Sequence, residues 1–297
     1  MADTNWAFAH YENVRSRMPL SVAHGRCTPV PNLGALADDF DVFLLDAYGV
    51  LNIGDTPIAG APERVAALQA LGKRCMVLTN GASFPASNRL PKYREYGYHF
   101  AADDVVSSRD VLATHLASLP PCRWAAMAPK GASFEGLGVR FALLEDTPET
   151  YENAEGFLLL GSQIWTESRQ DMLVQTLRAN PRPVLVGNPD LIAPYEHGFN
   201  VQPGMFAHRL ADETGIEPVF FGKPFAGMFA EAQRRFPTTP PARVLMVGDT
   251  LHTDILGGAA AGFKTLLVED HGMFRGSNVQ PFIAKSGIAP DYITPTI

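Results

Sequence analysis

Three aspartates in the sequence stand directly behind apolar runs, where a carboxylate can do chemistry. Asp46 ends the run DVFLLD at 41–46, and a carboxylate that is exposed by the turn after a strand can act as a nucleophile. Asp249 and Asp254 lie five residues apart behind a second apolar run, and two acids at such a junction suit a hard cation such as Mg²⁺. Taken alone, each pattern also fits an aspartate that caps a turn or a helix.

Two further groups of residues could bind an anion. Thr79 and Asn80 follow the apolar run 74–78 and offer a hydroxyl and an amide, and Gly81 lets backbone N–H groups approach a phosphate. Lys223, in the tripeptide GKP at 222–224, offers a point charge to a phosphoryl oxygen, although it also fits an ordinary surface lysine. Together with the aspartates, these groups are the parts of one phosphate site.

The elements that must position these groups alternate along the chain. We expect strands at 41–46, 74–78, 105–107, 218–221, 243–247 and 264–268, and helices at 62–71, 86–96, 109–116, 226–236 and 253–261. This alternation predicts an α/β fold with a doubly wound, Rossmann-like parallel sheet. Ligands of such sheets bind beyond the carboxyl ends of the strands, where Asp46, Thr79 and Asp249 fall, and Lys223 follows the strand at 218–221.

The middle of the chain has the composition of a second α/β unit. Segment 121–217 contains its own strands and helices, and Pro120-Pro121 suits a hinge. We therefore expect an inserted α/β cap domain at 121–217 and a core made of 1–120 and 218–297. Residues 1–40 are expected to form a surface arm with a short helix near 11–18.

Four motifs in this order resemble those of the haloacid dehalogenase-like (HAD) superfamily. They are DAYGVLN at 46–52, LTNGAS at 78–83, GKP at 222–224 and GDTLHTD at 248–254. Only 33 positions separate Asp46 from Thr79, whereas 144 separate Thr79 from Lys223, so a large cap fits only in the second interval. This spacing is similar to that of the class IIA branch, which includes sugar-phosphate, nucleotide and p-nitrophenyl phosphate phosphatases. The resemblance implies a Mg²⁺-dependent hydrolase of a small phosphorylated metabolite.

The resemblance also implies a role for each residue that would touch the phosphate. Asp46 attacks phosphorus and forms an aspartyl-phosphate, and Lys223 offsets charge on the nucleophile and on the phosphate. Thr79 and Asn80 hold the phosphoryl oxygens, together with the backbone at Gly81. These roles agree with phosphoryl transfer in general, which needs mainly positioning and charge stabilisation.

For the metal, the resemblance implies ligands from the first and last motifs. The Asp46 carboxylate, the Tyr48 backbone carbonyl and Asp249 bind Mg²⁺, and Asp254 supports them from behind. His197 lies in a segment similar to the substrate-facing loop of the cap, and it fits either a substrate contact or an exposed loop histidine.

One position departs from the family pattern. Phosphatases of this superfamily carry Asp-x-Asp in the first motif, whereas this chain has Asp46-Ala47-Tyr48. The second aspartate is their general acid and base, and such a group contributes about 10²- to 10⁴-fold to the rate. A phenol, with an ordinary pKa of about 10, can give a proton to a leaving group but is a poor base at neutral pH.

Three explanations of this departure stay open at the level of sequence. The chain is a phosphatase whose substrate has a good leaving group or whose acid comes from elsewhere. Alternatively, it binds a phosphorylated ligand without turnover. The third explanation is a 2-haloacid dehalogenase, because Asp-x-Tyr-Gly resembles the first motif of those enzymes; their cap position and their lack of the Mg²⁺ acids oppose it.

Composition limits the partners and the location. The chain has 24 Lys and Arg against 31 Asp and Glu, a net charge of −7, and no basic stripe, which argues against a nucleic-acid partner. No apolar run approaches the roughly 20 residues of a membrane span. Cys27, Cys75 and Cys122 form no paired framework, so we expect a reducing, cytoplasmic location. The resemblance also permits a homodimer.

Overall fold

The computed structural model describes residues 3–20, 24–195 and 197–297. Helices α1 to α10 are, in chain order, Thr4–Asn13, Ala61–Ala70, Leu90–Glu95, Ser108–Leu116, Pro148–Asn153, Glu167–Ala179, Pro203–Thr214, Ala226–Arg234, Leu256–Ala260 and Gln280–Ser286. Strands β1 to β16 are Thr28–Pro29, Val42–Leu45, Asn52–Ile53, Thr56–Pro57, Arg74–Thr79, Val105–Ser107, Trp124–Met127, Phe141–Leu143, Gly156–Leu159, Val184–Val186, Ile192–Tyr195, Gly198–Val201, Val219–Phe220, Val244–Gly248, Lys264–Val268 and Tyr292–Thr294. A π-helical turn, Leu251–Ile255, precedes α9.

The larger sheet has seven strands in the order β1-β16-β15-β14-β2-β5-β6, and every neighbouring pair is parallel. Its central strands are continuous apolar runs because both faces are covered. Val65 and Leu68 of α2 pack against one face, and Met228 and Phe229 of α8 pack against the other. The predicted doubly wound, Rossmann-like α/β fold is therefore confirmed.

Strands β14, β2 and β5 lie side by side, and their ends fall within two residues of one another in register. Leu45 of β2 is opposite Val247 of β14 and Val77 of β5. Asp46 and Asp249 leave the sheet just beyond this level, next to the loop that follows β5. The register of the parallel strands thus gathers residues from three distant parts of the chain at one edge of the sheet.

The inserted segment forms a second parallel sheet of five strands, in the order β13-β10-β9-β7-β8. Strand β13 differs from the prediction, which placed 218–221 in the core segment 218–297. Val219 is instead opposite Leu185 of β10, and the Phe221 N–H donates to the Val186 carbonyl at 2.8 Å. A two-residue apolar strand carries no information about which sheet it joins. The smaller sheet therefore reaches beyond the expected boundary at 217.

The prediction that residues 1–40 form a surface arm is wrong for the described part. Helix α1 begins earlier than the expected 11–18, because Asp3 caps it by accepting a 2.8 Å hydrogen bond from the Trp6 N–H. Its buried face, formed by Ala7, Phe8 and Tyr11, packs into a hydrophobic cluster with residues from the π-helical turn and α10. Strand β1 adds the edge of the larger sheet by pairing with β16. The segment is thus part of the folded core.

Candidate active site

Asp46 and Lys223 form an ion pair at the end of the central strand. Asp46 follows β2, and the Lys223 Nζ atom lies 2.5 Å from its Oδ1 atom and 2.8 Å from Oδ1 of Asp254. The Lys223 side chain is only 2% exposed. Burial opposes its charge, but the carboxylates of Asp254 and Asp46 outweigh burial and hold the Lys223 pKa above its ordinary value.

Three carboxylates converge beside this pair. Asp46, Asp249 and Asp254 each offer one oxygen, and these oxygens lie within 4.8 Å of one another. Burial raises the pKa of Asp46 to about 6, with Lys223 opposing the rise, and burial together with the charges of Asp254 and Asp46 raises that of Asp249 well above its usual range. The cluster consists only of oxygen ligands, and Lys223 cannot offset the charge of three carboxylates. Such a cluster fits a divalent cation such as Mg²⁺.

Hydrogen bonds and close packing fix Asp249 in this cluster. Its Oδ2 atom accepts a 2.8 Å hydrogen bond from the Met273 N–H, and its Oδ1 atom accepts one of 2.9 Å from the Thr250 hydroxyl. Gly49, which has a φ of +81°, and Gly272 both contact this carboxylate. A Cβ would lie 2.7 Å from it at position 49 and 2.0 Å from it at position 272. Both glycines therefore leave the space that Asp249 occupies.

The loop after β5 lies against the same cavity. The Thr79 hydroxyl accepts a 3.2 Å hydrogen bond from the Gly81 N–H. The Asn80 amide is used by protein partners: its Oδ1 atom accepts from the Lys223 N–H at 2.7 Å, and its Nδ2 atom donates to the Lys223 carbonyl at 2.9 Å and to Asp190 at 2.8 Å. The side-chain contacts of Asn80 thus position Lys223 and Asp190, whereas the resemblance had implied contact with phosphoryl oxygens.

These residues line a cavity between the two sheets with a volume of about 70 Å³. Asp46, Thr79 and Asp249 form its wall on the side of the larger sheet. The opposite wall comes from residues after β9 and from the antiparallel hairpin of β11 and β12. Lys223 and Asp254 are buried and lie behind the residues that line the cavity.

Tyr48 lines the cavity, and His197 does not. The Tyr48 ring stacks on the ring of Tyr195 in the hairpin, with centroids 5.9 Å apart and planes at 27°. Burial, together with the neighbouring Tyr48, raises the pKa of Tyr195 to about 12. His197 is exposed in the turn of the hairpin and lies outside the cavity wall. The hairpin thus meets the site through Tyr195 in place of the histidine.

Two charged residues of the cavity wall were not predicted from the sequence. Asp190 follows β10 in the tetrapeptide GNPD, and burial raises its pKa to about 7, with Lys223 opposing the rise and Asp46 adding to it. Its place after an apolar strand is the same signal that identified Asp46. Arg89 ends the 3₁₀ turn Ala86–Arg89, and no local pattern in the sequence marks it.

Comparison with known proteins identifies the family. Residues 43–135 match the family model described as haloacid dehalogenase-like hydrolase, and residues 220–297 match the one described as HAD-hydrolase-like. A glycerol-3-phosphate phosphatase of Gallus gallus is 31% identical over 287 residues, which cover 89% of this chain and 91% of that relative. The chain belongs to the haloacid dehalogenase-like hydrolases. In this HAD hydrolase the interval between the two matches, 136–219, contains most of the smaller sheet.

Solved structures confirm the resemblance of this HAD hydrolase to the class IIA phosphatases. The p-nitrophenyl phosphatase from Archaeoglobus fulgidus superposes with a TM-score of 0.70 at 26% identity, covering 87% of this chain and 97% of that chain. A glycerol phosphate phosphatase from Mycobacterium tuberculosis, solved in complex with calcium, superposes with a TM-score of 0.63 at 26% identity, covering 80% of this chain and 68% of that chain.

Proposed function

We propose that this HAD hydrolase is a Mg²⁺-dependent phosphomonoesterase that hydrolyses a small phosphorylated metabolite through an aspartyl-phosphate on Asp46. The observation that carries the proposal is the contact of Asp46 with Lys223 beside two further carboxylates at the end of the central strands. The phosphatase names of its relatives support the reaction class. The cavity volume of about 70 Å³ supports a small substrate.

The chain's own residues supply the nucleophile and the positive charge. The Asp46 carboxylate attacks phosphorus, and the bond from phosphorus to the leaving oxygen breaks. Lys223 lies where charge builds up between nucleophile and phosphoryl oxygen, and a fixed charge in a buried site needs no reorganisation during the reaction. Thr79 and the backbone at Gly81 bind the phosphoryl oxygens from the loop after β5.

Mg²⁺ would be held by the Asp46 carboxylate, the Tyr48 carbonyl and Asp249, with Asp254 behind them. When bound, the metal would act as a Lewis acid on a phosphoryl oxygen and neutralise part of the charge that the acids accumulate. The contacts of Met273 and Thr250 with Asp249 hold that carboxylate ready for the ion.

Asp190 is the residue that best replaces the missing acid and base. It lines the cavity outside the carboxylate cluster, and Asn80 fixes one of its oxygens. A pKa of about 7 lets Asp190 exist in both protonation states at neutral pH, as a general acid and base requires. The Asp190 carboxyl group protonates the leaving oxygen. Its carboxylate then takes a proton from the water that attacks the aspartyl-phosphate, and Asp46 is released with free phosphate.

The division into core and cap also belongs to this proposal. We propose a core of residues 1–120 together with the chain after the smaller sheet, and a cap that begins near 121 and, because of β13, ends near 221 instead of 217. A cap above the strand ends excludes water from the site.

Location and assembly are further parts of this proposal. No helix among residues 3–20, 24–195 and 197–297 is both long and apolar enough to cross a membrane. Cys27, Cys75 and Cys122 are free thiols, which supports a reducing cytoplasm. A homodimer is a prediction that light scattering of the purified protein tests.

The test compares release of phosphate from p-nitrophenyl phosphate, acetyl phosphate and glycerol 3-phosphate by the wild type and by Asp46→Asn. We expect Mg²⁺-dependent release by the wild type and none by the variant. Asp39→Asn, which changes an exposed aspartate away from the site, is the matched control and should behave as the wild type. Binding of phosphate and Mg²⁺ without any turnover would contradict the proposal in favour of a ligand-binding protein. Metal-independent halide release from a 2-haloacid would contradict it in favour of a dehalogenase.

A further inference from the structure

Arg89 brings a positive charge to the cavity wall on the side of Tyr48. The charged residues of the wall are Asp46, Asp190, Asp249 and Arg89, so within the described chain Arg89 is the wall's one cation. Its guanidinium group contacts the loop after β5, since a Cβ on Gly81 would lie 2.2 Å from its Nη2 atom. The absence of a side chain at position 81 thus makes room for the guanidinium group beside the phosphate loop.

The charge of Arg89 is not matched by an acid of the protein. Over the described residues no carboxylate is paired with it. Its guanidinium group interacts electrostatically with the phenols of Tyr48, Tyr93 and Tyr195. Lys223, in contrast, is saturated by two carboxylates and lies behind the wall. A guanidinium group that faces a cavity without a counter-ion offers a planar pair of donors to an anion, and this geometry matches a carboxylate.

Arg89 contacts the phosphate loop at Gly81 and also reaches the phenol of Tyr48. Asp46 and Thr79 belong to the floor of the cavity at the strand ends, whereas Arg89 adjoins the stacked rings of Tyr48 and Tyr195. Tyr195 belongs to the hairpin that covers the cavity opposite the floor. A substrate whose phosphoryl group lies on the floor therefore presents its leaving group to the guanidinium side.

We propose that Arg89 binds a carboxylate on the leaving-group side of the substrate, so that the enzyme prefers short phosphorylated hydroxy acids to uncharged phosphate esters of the same length. The inference rests on the proposed function and adds the substrate class to it. A small cavity of about 70 Å³ favours a carboxylate over a bulkier second phosphate. A charge-assisted pair of this kind corresponds to a preference of about tenfold to 100-fold in kcat/KM.

The test uses two substrates with the same carbon skeleton, 3-phosphoglycerate and glycerol 3-phosphate, which differ by a carboxylate in place of a hydroxymethyl group. The wild type should prefer the acid by about tenfold to 100-fold in kcat/KM. Arg89→Gln should bring this ratio close to one, and Arg89→Lys should keep an intermediate ratio because it retains charge without the planar fork. Arg94→Gln, which changes an exposed arginine of α3, should keep the wild-type ratio.

Three results would overturn the inference. A wild type that hydrolyses p-nitrophenyl phosphate but treats the two test substrates alike would refute the carboxylate site and leave the proposed function intact. An equal loss on both substrates in Arg89→Gln would mean that Arg89 holds the transferred phosphoryl group. Calorimetry on Asp46→Asn makes the same comparison without turnover, so a failure of the carboxylate site can be told apart from a failure of the proposed function. Tighter binding of 3-phosphoglycerate than of glycerol 3-phosphate, lost when Arg89→Gln is added, supports the site. Equal binding of the two compounds refutes it.

Discussion

Replacing Lys223 by Met tests the electrostatic arrangement of the site. The side chain is 2% exposed, and its ammonium group lies 2.5 Å from Asp46 and 2.8 Å from Asp254. Met has a similar length and fills the same space without charge or donors. The variant therefore removes the charge that two buried carboxylates share while it leaves most of the packing unchanged.

The size of the effect follows from these contacts. Removing one partner of a buried ion pair costs about 3–5 kcal/mol in the free energy of unfolding, and we expect this loss at pH 8. At pH 5 the loss should be smaller, because Asp46, with a pKa of about 6 even beside Lys223, then takes up a proton and needs no counter-ion. Loss of one preorganised charge from the transition state should lower kcat by about 100- to 1,000-fold.

The assay combines urea unfolding of the metal-free protein at both pH values with kcat on p-nitrophenyl phosphate at saturating Mg²⁺. Lys92→Met is the matched control, because Lys92 pairs with Asp55 on the surface, and such a pair contributes at most about 1 kcal/mol. The control should keep the wild-type kcat. A Lys223→Met variant with kcat within tenfold of the wild type, or with the same destabilisation at pH 5 and pH 8, would refute the reasoning.

Three further predictions follow from the contacts of the site. Asp190→Asn keeps an acceptor for Asn80 but should lower turnover of alkyl phosphates by about 10²- to 10⁴-fold. Adding Tyr48→Asp should restore this turnover. If the double variant stays as slow as Asp190→Asn, Asp190 has a structural role. Asp190→Asn should gain unfolding free energy relative to the metal-free wild type as pH rises from 4 to 8, because the folded-state pKa of Asp190, about 7, exceeds the unfolded value of about 3.9 and this group costs the wild type stability between those values; a difference between the two proteins that does not change with pH would contradict this. Glu12→Gln should lower the unfolding free energy by about 1–3 kcal/mol, because Glu12 accepts a 2.6 Å hydrogen bond from buried, neutral His252; an unchanged urea midpoint would contradict this.

The floor of the site was predictable because its signals are local. Asp46, Thr79 and Asp249 each end or follow an apolar run, and parallel strands carry their carboxyl ends to one edge of a sheet. The structure shows the three strands side by side, with ends within two residues of one another in register. The place of Lys223 was predicted for an incomplete reason, since the strand before it belongs to the smaller sheet and the Asn80 amide completes its positioning.

The remaining parts of the site depend on contacts between distant segments. Glu12 and His252 are 240 residues apart and meet only because α1 packs beside the π-helical turn, so the sequence of the first 40 residues gave no sign of a core element. In the hairpin, the expected substrate contact was His197, whereas Tyr195 faces the cavity. The register of a two-stranded ribbon decides which of its residues face inward, and the side-chain types do not specify that register. Arg89 was missed because only the three-dimensional structure shows that it lines the cavity and that no carboxylate of the described residues pairs with it.

The measurement that tests the central claim most directly is chemical trapping of the covalent intermediate on Asp46. The enzyme is held in steady-state turnover of p-nitrophenyl phosphate with Mg²⁺, treated with borohydride, and analysed by peptide mass spectrometry. Reduction of an aspartyl-phosphate converts that aspartate to homoserine. We predict homoserine at position 46, only when substrate is present, and none in Asp46→Asn. Full turnover without reduction at position 46, or with reduction at another aspartate, would contradict the account.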